Sequence, residues 1–252
     1  MTTEQARPYE GMLSETVRFP SQNGDIIGGY MARPLGAGPY PGVILIMEVF
    51  GLVEHTREMA RKFAAHGYIT VAPDLFYREG PGDPAEIAAL VRGRGGVPDS
   101  RFIQDMEGAV GALRSVATFS GKIGCIGHCS GGRHSLLFAC NTESIHAAVD
   151  CYGGRVIPDA LTPNQPRAVI DMVADLSCPL LGLFGEADQN PSPQHVARLE
   201  GELKRHSKEY DFTSYPPDVG HGFFADYRPS YRQEAAVDGW RRIFDFFGRH
   251  LG

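Results

Sequence analysis

The sequence predicts an α/β protein, a mostly parallel sheet of about eight strands with helices on both faces. Three observations lead there. Apolar runs such as Val43-Ile44-Leu45-Ile46-Met47 are continuous rather than alternating, the pattern of strands buried on both faces. They take turns along the chain with stretches whose apolar residues recur at helical spacing, the order that builds parallel strand-helix-strand units. Finally, 252 residues of which 42% are hydrophobic can bury one large core, so a single domain over residues 1–252 is expected.

Residues 1–13 read as a loose polar lead-in. Ser14 to Phe19 alternates as a strand, Gly24-Asp25 marks a turn, and Ile26 to Arg33 is the hairpin partner, an antiparallel edge. Val43 to Met47 is the first buried strand and ends in Glu48-Val49-Phe50-Gly51. Leu52 to His66 has helical spacing through Met59, Phe63 and Ala64, and Gly67 stops it. Tyr68 to Ala72 is a second buried strand. Residues 76–99 are rich in Gly and Pro around a short helical piece from Pro84 to Val91, and are expected to form a lid-like excursion with Arg92 and Arg94 in solvent. Ser100 to Ala117 is a helix with Ile103, Met106, Val110 and Leu113 on one face. A strand from Lys122 to His128, a helix from Ser135 and a strand from Ala147 to Tyr152 follow. Residues 155–177 are indistinct. Pro179 to Gly185 is another buried strand, Ser192-Pro193 opens a helix to about His206, Tyr210 to Tyr215 is the last strand and Tyr231 to Phe247 the closing helix.

A net charge of −6 with scattered Lys and Arg speaks against nucleic acid as a partner. No apolar run approaches the ~20 residues that span a bilayer, and Met1 to Glu10 is polar, so a cytoplasmic protein, monomer or small homo-oligomer, is expected. Five cysteines are too few and oddly numbered for a disulfide framework. Without Cys-x-x-Cys or His-x-His spacing, neither a metal nor a cofactor is expected.

The stretch that carries chemistry is Gly127-His128-Cys129-Ser130-Gly131-Gly132. It reads as a strand, a sharp turn and a helix, the form of a nucleophile elbow, whose central residue is strained and whose flanks must lack side chains. Centring the motif on Ser130 would put His128 where a glycine is needed, so Cys129 is the expected nucleophile. His128 itself either tunes the thiol or fills a gap. A thiol needs a base, and the base needs an acceptor that fixes its tautomer. Asp188, after Gly185, and His221, between Gly220 and Gly222, follow strand ends in turn-like contexts. The competing acid, Asp218, is only three residues from His221 on the same loop. Glu48 and Asp74 also sit at strand ends, where ligands bind in such sheets, and among apolar neighbours Glu48 is expected to be paired.

Glu48-Val49-Phe50-Gly51-Leu52, Pro73-Asp74-Leu75-Phe76-Tyr77-Arg78, the elbow, Gly185-Glu186-Ala187-Asp188 and His221-Gly222-Phe223 together resemble the dienelactone hydrolase family of α/β-hydrolases, from about Val17 to Phe247. The resemblance implies a Cys129-His221-Asp188 triad, a Glu48 that holds the resting thiol, and an oxyanion hole made by the N–H groups of Val49 and Ser130. It also implies Arg78 as one of two arginines for a substrate carboxylate. Where the second is expected, four residues after His221, stands Ala225; Arg228 is near enough in sequence to compensate, and in Tyr227-Arg228-Pro229 it reads equally well as structural. The expected function is hydrolysis of small esters or lactones through a thioester. A promiscuous esterase for neutral esters and a non-catalytic binding relative are the alternatives.

Overall fold

A computed structural model describes residues 11–252. Its strands are β1 (Met12–Pro20), β2 (Ile26–Pro34), β3 (Tyr40–Ile46), β4 (Ile69–Pro73), β5 (Phe119–His128), β6 (Ala147–Cys151), β7 (Leu180–Gly185) and β8 (Tyr210–Tyr215). The helices are α1 (Glu54–Ala65), α2 (Pro84–Gly93), α3 (Asp99–Arg114), α4 (Ser130–Ala139), α5 (Pro193–Arg205) and α6 (Gln233–Leu251). The strands form one sheet in the order β1-β2-β4-β3-β5-β6-β7-β8. β1 and β2 pair antiparallel, as do β2 and β4, and every pairing from β4 across to β8 is parallel.

The continuous apolar runs divide their side chains between two cores. Val43 and Leu45 of β3 pack on one face with Met59 and Phe63 of α1 and Ile243 and Phe247 of α6. Ile44 and Ile46 point the other way, against Phe102 and Met106 of α3, Leu136 of α4 and Leu203 of α5. A strand clad on both sides cannot afford alternating polar residues, which is why its sequence reads as an unbroken run. The chain goes outward from β3 to β4 and returns to place β5 on the other flank of β3. This reversal opens a crevice beyond the carboxyl ends of β3 and β5, where ligands bind in such sheets.

Several boundaries differ from the sequence reading. The first ten residues of the expected lead-in lie outside the described residues, and Met12 and Leu13 already belong to β1, paired with Pro34 and Arg33 of β2. α6 runs on to Leu251 because Phe247 and Leu251 still have a sheet to cover. A Cβ on Gly124 of β5 would lie 2.7 Å from the Phe247 ring. The indistinct stretch 155–177 holds a Thr162–Gln165 bridge and a 3-10 turn, Val169–Asp175, that buries Val169 and Val173. In residues 76–99, Asp83 caps α2 by accepting from the N–H groups of Ala85 and Glu86, and Val91 and Val97 enter the core. No helix among the described residues is long and apolar enough to cross a membrane.

Candidate active site

Cys129 stands at the turn between β5 and α4 with φ 55° and ψ −122°, a left-handed conformation costly for a residue with a Cβ. The backbone holds it there. Its N–H donates to the Cys151 carbonyl at 3.0 Å, and its own carbonyl accepts from the Gly132 N–H at 3.0 Å. The flanking glycines are steric requirements: a Cβ on Gly127 would lie 2.1 Å from the Gly131 carbonyl oxygen, and one on Gly131 would lie 2.6 Å from that of Ile46. Strand and helix cross where only backbone fits.

Asp188 and His221 arrive from the turns after β7 and β8. The two turns are stitched together by the Ala187 N–H donating to Val219 O at 2.9 Å. His221 Nδ1 meets Asp188 Oδ2 at 2.7 Å, and the Asn190 N–H donates to Asp188 Oδ1 at 2.9 Å, so a carboxylate only 3% exposed has both oxygens engaged. The imidazole also hydrogen-bonds the Cys129 side chain. Burial pulls the His221 pKa down, but the hydrogen bonds to Asp188 and Cys129 and the charges of both pull harder in the other direction, to about 10. The three side chains expected from separate strand ends thus lie side by side, while the Asp218 backbone carbonyl accepts from Arg232 Nε.

Tyr152, which the sequence reading passed over, forms a wall beside His221. It is buried at φ 44° just after β6, its ring centroid lies 5.0 Å from that of His221, and its hydroxyl is tied to the Phe224 backbone. Its signal was the Gly153-Gly154 pair that follows, the same small-residue mark that flagged Cys129.

Glu48 ends β3 almost fully buried, and its Oε2 accepts from Arg228 Nη2 at 3.1 Å. Arg228 lies 4.4 Å from the Phe50 ring centroid and 4.9 Å from that of Tyr227. Glu48 was expected to be paired, and the resemblance gives it the resting thiol; the partner found among the described residues is instead a guanidinium 180 residues away. Glu48, Val49 and Ser130 line a cavity of about 420 Å³ whose apolar wall includes Phe76, Val91 and Val97. Cys129 and His221 are not among its lining residues; it opens beside them, at Glu48, Val49 and Ser130. A larger groove of about 890 Å³, between β1 and α3, is lined by none of the candidate site residues. Volume alone does not mark the site.

Arg78 does not join this group. Its two Nη atoms donate to Asp105 at 2.8 and 2.9 Å, its Nε donates to Asp25 at 3.0 Å, and it does not line the cavity. The reason is Asp105, a fully buried carboxylate on α3 that requires a counter-charge. Asp74 is spent on its own turn, accepting from the Phe76 N–H at 3.0 Å. His128 points away from the cavity into an aromatic cluster, with ring centroids 5.1 Å from Phe224, 5.8 Å from Tyr152 and 6.3 Å from Trp240. Neither nitrogen has a partner among the described residues, and burial pushes its pKa down to about 3, so it fills a gap as a neutral ring. A second buried pair unseen in the sequence, Arg133 with both oxygens of Asp99 at 2.8 Å, fastens α4 to α3.

A strained elbow in a mostly parallel sheet, with an acid and a histidine brought in by later strand ends, defines the class: an α/β-hydrolase fold. Within that class the dienelactone hydrolase family model matches residues 27–251, and the chain belongs to that family of hydrolases. A relative from Methylorubrum extorquens, provisionally named a carboxymethylenebutenolidase, is 36% identical over 252 residues, covering 97% of this chain and 84% of its own. One from Escherichia coli K12, named in the same way, is also 36% identical, over 97% of this chain and 90% of its own. A crystal structure from Klebsiella pneumoniae, provisionally titled a dienelactone hydrolase, superposes with a TM-score of 0.87 at 33% identity, covering 95% of this chain and all of that one. A dienelactone hydrolase-like promiscuous phosphotriesterase from metagenomic libraries shares the fold, with a TM-score of 0.78 at 22% identity over 96% of this chain and 99% of that one.

Proposed function

We infer that the protein is a cysteine-dependent hydrolase of small esters or lactones that works through a thioester at Cys129. The observation that carries this reading is the hydrogen-bonded run from Asp188 through His221 to a thiol on a strained elbow. His221 carries the thiol proton, Asp188 strengthens its hold on it, and the thiolate so formed adds to the substrate carbonyl. The N–H groups of Val49 and Ser130 receive the oxyanion. As it collapses, the alkoxide leaves with the proton held on His221. His221 then deprotonates a water that attacks the thioester carbonyl, and the second collapse releases the acid and restores the thiol.

Substrate charge follows from the arginines. Arg228 is the guanidinium nearest to Glu48, and a substrate carboxylate would compete with Glu48 for it. A second reading, a hydrolase of neutral esters, is favoured by Arg78 being held on Asp105 and by Ala225 standing where a further arginine is expected. The test is an initial-rate comparison of a carboxylate-bearing dienelactone with a neutral aryl acetate, with Cys129→Ala as the blank. Cys129→Ala should lose turnover of both; retained turnover means another nucleophile. A dienelactone preferred by orders of magnitude supports the carboxylate reading, and a preferred aryl acetate the neutral one.

A further inference from the structure

Arg92, the last residue but one of α2, is exposed as expected, and its Nη1 donates to the Val49 carbonyl at 3.2 Å just ahead of Gly95 and Gly96. Val49 follows β3, lines the cavity and supplies an N–H to the mechanism above. On the other side of the same glycine-rich stretch, Asn164 Nδ2 donates to the carbonyls of both Arg94 and Gly96 at 2.9 Å, and the Asp99 N–H donates to Asn164 O at 2.9 Å. Gly95 and Gly96, at φ 88° and 83°, give this stretch conformations that other residues rarely adopt. The end of the 76–99 segment is therefore fastened at two points, one of them on the loop that carries an oxyanion donor. Pinning the Val49 carbonyl fixes the plane of the 49–50 peptide, which shares the Val49 Cα with the peptide that bears the Val49 N–H, and so limits where that neighbouring peptide can sit.

We propose that Arg92 is a positioning residue: by holding the Val49 carbonyl it couples the seating of residues 76–99 to the orientation of the oxyanion donor. The site is then fully competent only while that segment is seated, and Asn164 is the opposing fastener. This rests on the thioester reading, since it needs the Val49 N–H as a donor.

The experiment uses the full chain and a neutral aryl acetate, with kcat and KM determined for wild type, Arg92→Met, Arg92→Lys, Asn164→Ala and Cys129→Ala. Losing an oxyanion donor outright costs roughly 10²- to 10³-fold in kcat, so misaligning one should cost about tenfold. Arg92→Met is expected to lower kcat by that amount with KM within about twofold, Arg92→Lys to recover most of the loss, and Asn164→Ala to lower kcat in the same sense. Alkylation of Cys129 by iodoacetamide builds no oxyanion and should fall much less than kcat in Arg92→Met. An unchanged kcat overturns the proposal. So does a raised KM at constant kcat, which would make Arg92 a substrate contact, or an alkylation rate that falls in step with kcat, which would put its effect on the thiol. Turnover retained by Cys129→Ala overturns the thioester reading and the proposal together, whereas failure at Arg92 alone leaves that reading standing.

Discussion

In the proposed mechanism Asp188 sets which nitrogen of His221 faces the thiol. With Nδ1 on the carboxylate, Nε2 is left for proton transfer, and an amide in place of Asp188 can accept the same bond from one side only. Asp188→Asn is expected to lower kcat by about 10²- to 10⁴-fold, checked by steady-state kinetics on protein shown by a thermal scan to be folded. These residues were legible in the sequence because their requirements are local: glycines where a Cβ would strike backbone, and a His between two glycines after the last strand. The partners of the arginines were not legible. Arg78 and Asp105 are 27 positions apart, Arg228 and Glu48 180, and no periodicity links them. Chain position put Arg78 near the right strand end, but the direction of its side chain was set by a buried carboxylate on another element.

Elements meet through a few such ion pairs. Arg78 joins the turn after β4 to α3 and to the β1–β2 hairpin, through Asp105 and Asp25. Removing it would leave Asp105 charged and buried without a partner. Arg78→Met is expected to destabilise the protein by roughly 3–5 kcal/mol, read from urea unfolding. KM for a carboxylate-bearing ester separates this role from the substrate contact implied by resemblance: it should stay unchanged. The strands and long helices were readable from apolar period alone. Residues 155–177 were not, because what orders them is a short bridge, a 3-10 turn and the side chain of Asn164, none of which imposes a repeat on the sequence.

For the molecule as a whole, two titrations tilt stability the same way. The Asp150 carboxyl is buried, one oxygen accepting from the Gly153 N–H at 2.7 Å and the other without a partner among the described residues, and burial pushes its pKa up to about 7. The fold disfavours its charge, so stability falls as pH rises from about 4 to about 7. Asp150→Asn keeps the acceptor and drops the charge. It should raise the melting temperature at about pH 8, an advantage that fades toward pH 4. His221 binds its proton more tightly folded than unfolded, so its contribution is complete below about pH 6.5 and lost as pH rises to about 10. The margin of wild type over His221→Asn in thermal scans should therefore narrow across that second window. The sheet's order was legible only as mostly parallel, and its reversal between β3 and β5, which sets the crevice, is a property of the assembled molecule.

The aromatic cluster behind the elbow has a further consequence. Trp240, the one tryptophan in the chain, stands in it, 5.5 Å from Phe224 between ring centroids, and Phe224 in turn lies 5.1 Å from His128 on the elbow strand. The protein thus carries a single indole a few ångströms behind the elbow turn. Emission from one indole, in one environment, reports when the packing that supports the elbow loosens, with no label attached and no other tryptophan to dilute the signal.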